Sequence, residues 1–184
     1  RTLTVTTGGA DIASAQQVVM SVSAARSAAD TQEASTVTVQ TLSPDSKLID
    51  ERTDVTSPAI TAGTLGGTLT YLPSITTPGV ASNHVVRFET VGRVQSGGQI
   101  TLQFPDGEGW DMPDTATVAF TNVTAGVTVA GGAWASGTRT LTVTTGGADI
   151  ASAQQVVMSV SAARSAADTQ EASTVTVQTL SPDS

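Results

Sequence analysis

The sequence predicts an all-β protein made of β-sandwich repeats, and three observations predict it. The first is an exact repeat: residues 1–46 return letter for letter as residues 139–184, an offset of 138 residues. Internal repeats are read first because they decide the architecture. The second is composition. Thr and Gly are abundant, charged residues make up only 13%, and aromatics 3%. Thr favours strands and Gly marks turns and bulges. The third is a series of short runs with period-2 alternation of apolar and polar residues, separated by Gly-Gly and Pro-Asp-Gly punctuation.

A period of 138 residues lies near the commonest domain size, so one domain per period is expected. Identity this complete points to recent tandem duplication or to a window on a longer periodic polymer. Arg1 opens within a strand pattern, with no Met and no leader, which fits such a window. The least strand-like stretch is Ser43 to Gly63, with two Ser-Pro steps, several acidic residues and the only lysine, Lys47. The domain junction is expected there, near Val55 to Ala59. Residues 1–55 then form the C-terminal part of one repeat, and residues 56–184 a nearly complete second one.

The second repeat reads as eight strands. Thr68 to Leu72 places Leu69 and Tyr71 on one face. Val85 to Thr90 places Val86 and Phe88 inward. Gln99 to Phe104 does the same with Ile100, Leu102 and Phe104. Thr115 to Thr121 carries Ala116, Val118 and Phe120, and Gly126 to Ala130 carries Val127 and Val129. Thr140 to Thr145 sets Leu141 and Val143 against three threonines. Gln155 to Ser161 carries Val156, Met158 and Val160, and Ser173 to Leu180 carries Val175 and Val177. One-faced strands need a second sheet to cover them, and two sheets face to face supply it. Ser161 to Ala172 is rich in helix formers but has no apolar stripe, so a loop is expected there.

Residues 1–46 supply only three strands. Alone they would expose an apolar face and open edges. Either the missing half lies in a longer chain, or a neighbour completes them by strand complementation. Both imply head-to-tail continuation, with the chain as its own partner.

The run VVRFETVGRVQSGGQITLQF (Val85–Phe104), the pair Gly109-Trp110, the stretch LTVTTGGADIASAQQVVMSVSA and the closing STVTVQTLSPDSKLID carry a resemblance. Together they resemble the immunoglobulin-like repeat domains strung along large surface and secreted proteins of microbes, protists and algae among them. The resemblance spans most of the period. It implies an immunoglobulin-like sandwich, an extracellular or cell-surface setting and a structural or adhesive role, with no catalytic residues to carry over.

Charge narrows the partners. Each period holds 12 acidic and 6 basic residues, and the whole chain has a net charge of −8. That balance opposes nucleic-acid binding. No apolar run approaches the length of a membrane span. The chain has no cysteine, which excludes disulfides and thiolate metal sites in these residues.

Few residues suggest chemistry. Asp106, Glu108, Asp111 and Asp114 crowd one loop, PDGEGWDMPD, and four carboxylates there would suit Ca²⁺. The plainer reading is an acidic solvated turn with Trp110 folded back on the sheets. Trp110 and Trp134 would stack on glycans if exposed, or pack over the core if not. Asn122-Val123-Thr124 is an N-glycosylation sequon, and Ser-Pro and Thr-Pro steps would suit O-glycans. His84 is the only histidine, with no motif-bound Ser or Cys beside it, so a structural or surface role is expected. Lys47 would cross-link to Asn83 or Asn122 only if buried. No cofactor motif is present, and no enzyme is expected. The preferred expectation is a structural segment of an extracellular filament or stalk. The alternative is an adhesin-type module holding glycan or Ca²⁺ through the acidic, Trp-bearing loop.

Overall fold

The computed structural model describes residues 2–23, 31–105, 109–169 and 171–182. The described residues contain ten strands and no helix. They are β1 (Ser35–Leu42), β2 (Leu48–Ser57), β3 (Gly66–Pro73), β4 (Ala81–Glu89), β5 (Gln99–Gln103), β6 (Thr117–Asn122), β7 (Val127–Ala135), β8 (Thr140–Gly147), β9 (Gln155–Arg164) and β10 (Thr176–Leu180).

All strand pairs are antiparallel. One four-stranded sheet has the order β3-β4-β9-β6 and a second the order β10-β5-β8-β7. A two-stranded ribbon, β1-β2, stands apart from both. Strands β4, β5 and β8 follow the alternation read from the sequence, whereas on β3 Leu69, expected inward with Tyr71, is exposed beside a register shift between Gly66 and Thr70. His84, Val86 and Phe88 of β4 are buried, while Asn83 and Arg87 are exposed. Ile100 and Leu102 of β5, and Leu141 and Val143 of β8, have no exposed surface.

These side chains meet Val156, Met158 and Val160 of β9 in one core cluster drawn from both sheets. Two sheets sharing one apolar layer are compatible with a β-sandwich. Each large apolar side chain so buried contributes about 1.5–3 kcal/mol, which is what holds the two sheets face to face.

Successive strands from β3 to β10 run in opposite directions, so their connections fall alternately at two ends. At one end lie the turns 90–98 and 148–154, tied by an antiparallel bridge between Val94 and Ile150. Arg93 pairs with Asp149 there at 3.0 Å, and the other Asp149 carboxylate oxygen accepts the Ser96 N–H at 2.8 Å. Gly98 is required at this end. A Cβ on it would stand 2.8 Å from the Gln95 carbonyl oxygen and 2.9 Å from that of Leu180. The opposite end carries residues 104–105 and 109–116 and the start of β10.

Two elements depart from the sequence reading. Ser43 to Gly63, read as the least strand-like stretch, contains the ten-residue strand β2. β2 is exposed on both faces over most of its length, so selection for one apolar face never marked it. The helix-forming stretch Ser161 to Ala172 begins as the end of β9, and its remaining described residues are irregular.

Candidate functional site

The most informative site is a pair of segments with one sequence. Residues 140–161 form β8 and most of β9, the central strands of the two sheets. Residues 2–23 have the same sequence, carry no strand, and are exposed throughout. Leu3, Val5, Ile12, Val18, Val19, Met20 and Val22 are 52–81% exposed. Their counterparts Leu141, Val143, Ile150, Val156, Val157, Met158 and Val160 are 0–7% exposed.

Local propensity cannot separate two identical segments. Neighbouring strands decide the outcome, as β-strand preference generally depends on context. β8 is flanked by β5 and β7, and β9 by β4 and β6. Residues 2–23 have no such flanks. Their exposed side chains forgo about 1.5–3 kcal/mol each.

The third part of the repeat also differs between copies. β10 pairs with β5, and Val175 and Val177 pack against the core. The same sequence in β1 pairs with β2, and Val37 and Val39 are left exposed.

The sequence-derived site residues are dispersed. Asp106 and Glu108 lie outside the described residues. Asp111 is exposed, and its backbone pairs with Arg164 on β9, with N–H···O distances of 3.2 and 2.8 Å. Asp114 is exposed, and its carbonyl accepts the Trp134 N–H at 2.9 Å. Among the described residues no three metal-ligating side chains gather. Asn122 ends β6, exposed, and its amide donates to Gln155 Oε1 at 3.1 Å. Thr124, the third sequon residue, donates to Gln154 Oε1 at 3.1 Å. Lys47 sits exposed in the β1–β2 turn, so the burial that cross-linking requires is missing.

Trp134 is a correction to the glycan-stacking expectation. It is 6% exposed and meets Phe104 edge to face at 5.7 Å, so its ring offers no face to a sugar. Trp110 is half-buried, with its ring 5.7 Å from Tyr71, 5.9 Å from His84 and 5.4 Å from Phe104. Both tryptophans thus join an aromatic cluster with Tyr71, His84 and Phe104.

His84 belongs to that cluster, against Tyr71 and Trp110, and was not legible as such. The signal was available: His84 stands two residues before Val86 and four before Phe88, on the same strand face. It has no exposed surface. Burial pulls its pKa down from about 6.5 to about 4, so the imidazole is neutral at pH 7. The Tyr71 hydroxyl is hydrogen-bonded to Nδ1, and burial pushes the phenol pKa up, keeping it protonated. With Tyr71 donating to Nδ1, the imidazole proton sits on Nε2, which has no hydrogen-bond partner among the described residues. The cluster can bind two sheets together.

No family model, curated protein or solved structure matches this chain.

Proposed function

We propose that this chain is a structural segment of a head-to-tail assembly of immunoglobulin-like β-sandwich repeats, outside the cell or on its surface. In that assembly residues 2–42 complete the sandwich of the preceding repeat as residues 140–180 complete this one. The observation that carries the proposal is the contrast between the exposed segment 2–23 and its buried twin 140–161. A sequence able to supply two central strands in one place, and idle in another, fits a slot of the same shape elsewhere. That slot is built by residues equivalent to β3–β7 in another copy. The net charge of −8 keeps such an array soluble through self-repulsion.

The test is imaging. A chain of three consecutive 138-residue periods, viewed by negative-stain electron microscopy, should show a row of equal beads at constant spacing. Single compact particles, or beads with no fixed spacing, would overturn the proposal.

A further inference from the structure

We propose that β2 is the fifth strand of the sheet that β10 edges, giving the order β2-β10-β5-β8-β7 wherever the sequence of β2 follows that of β10. The outer edge of β10 is thus a docking site for one partner: the strand LIDERTDVTS of the next copy. This rests on the reading that residues 2–42 fill a sandwich slot.

The alternation of backbone groups decides whether one strand can hold both neighbours. In an antiparallel ladder, successive residues turn their N–H and C=O groups to opposite edges. Along β5 the Gly98 carbonyl accepts from Thr145 at 2.8 Å, and the Phe104 N–H donates to the Arg139 carbonyl at 3.0 Å. Even-numbered residues of β5 therefore face β8. Gln99, Thr101 and Gln103 face the other way, toward their partners Leu180, Gln178 and Thr176. In β10, then, Thr176, Gln178 and Leu180 bond to β5, while Val177 and Thr179 turn outward.

β1 has the same sequence as β10 and uses the complementary set. Ser43, just beyond β1, donates its N–H to the Lys47 carbonyl at 2.8 Å. Counting back, Thr41 and Val39 face β2, and they are the counterparts of Thr179 and Val177. Thr38, Gln40 and Leu42 face away, and they are the counterparts of the residues that bond to β5. The two pairings use opposite edges of one strand and do not compete.

Two further observations agree. β2 carries Asp50, Glu51, Arg52 and Asp54 and is exposed on both faces for most of its length. That is how proteins finish a sheet, since a charged edge strand discourages further pairing. Strand order agrees as well. β3-β4-β9-β6 on one sheet, with β5, β10 and a following β2 on the other, reproduces the four-plus-three order of an immunoglobulin sandwich. The β7–β8 hairpin is then an addition on the free side of β5.

The experiment extends the full 184-residue chain at its C-terminus by a second copy of residues 47–57. Amide hydrogen exchange is then read residue by residue by NMR in both chains. The proposal expects Thr176, Gln178 and Leu180 to be protected in both. Val177 and Thr179 should exchange fast in the original chain and slow by at least about tenfold in the extended one. Fast exchange at Val177 and Thr179 in the extended chain, with the other three still protected, overturns the fifth strand alone. Protection gained at Val177 and Thr179 but lost at the other three also overturns it, because the hairpin then forms off the sheet. The imaging test fails independently of these outcomes and bears on the assembly only.

Discussion

Tyr71 on β3 and His84 on β4 share a hydrogen bond between the hydroxyl and Nδ1, with Trp110 against both rings and Phe104 against Tyr71. The pair makes stability depend on pH. Folded His84 has a pKa near 4, and the unfolded residue titrates near 6.5. Between those values the unfolded state binds the extra proton. Stability is therefore full above pH 6.5 and falls by about 3 kcal/mol as the pH drops toward 4. Urea unfolding at pH 7.5, 5.5 and 4.5 should show the midpoint falling. His84→Gln should remove that part of the slope, and an unchanged slope would place the pH dependence elsewhere.

Tyr71→Phe removes one partner from a buried pair and leaves Nδ1 unsatisfied. Leaving such a group unpaired costs about 1–3 kcal/mol. The phenyl ring still packs on Trp110, so the near-ultraviolet circular dichroism of the aromatic cluster should persist while the urea midpoint falls. A midpoint equal to that of the original chain would mean that the hydrogen bond contributes nothing.

Gly131 and Gly132 are neighbours on β7 with opposite tolerance. A Cβ on Gly132 would lie 2.5 Å from the Ala116 carbonyl oxygen, a backbone atom that cannot yield cheaply. A Cβ on Gly131 meets nothing within 4 Å. Gly132→Ala should cost about 1–3 kcal/mol by overpacking, a fall in Tm of about 2–4 °C per kcal/mol at this chain length. Gly131→Ala should leave Tm unchanged or slightly raised. Equal shifts in a thermal melt would contradict the packing described for this strand.

Met20 and Met158 occupy the same place in the repeated sequence, one exposed and one without exposed surface. Met20→Ala should change stability by less than about 0.5 kcal/mol. The double variant Met20→Ala with Met158→Ala should lose about 2–5 kcal/mol, the cost of emptying a buried methionine site. Met158→Ala alone should lose less than the double variant, because residues 2–42 remain an intact substitute for the slot. The 23 residues from 43 to 65 are long enough to connect them, since Leu180 and Gly66 lie at the same end of the sheets. A double-mutant cycle by denaturant unfolding reads the difference. Single and double variants of equal stability would show that the two copies do not interchange.

Much of the two-sheet core was legible because strands such as β5 and β8 have one dry face. Ile100, Leu102 and Phe104 alternate with Gln99, Thr101 and Gln103, and burial follows that alternation. β2 was not legible, because residues such as Glu51 and Arg52 lie on an exposed ribbon and carry no alternation to read. His84 was missed for a different reason. A titratable side chain was expected near water, yet its strand position next to Val86 and Phe88 set it among aromatic rings. The different fates of Leu3 and Leu141 were beyond any local reading, since both stand in the same letters. Only the identity of the flanking strands separates them.

The alternating direction of the strands has one more consequence. An even number of passes returns a chain to the side it came from, and β3 to β10 make eight. Gly66 and Leu180 accordingly lie at the same end, and modules joined through them alone would fold back on one another like a hairpin. A ninth pass along β2 moves the point of departure to the far side. Modules could then be laid end to end in a straight line, each adding its full length. The most charged strand among the described residues would set whether the array is a clump or a cable.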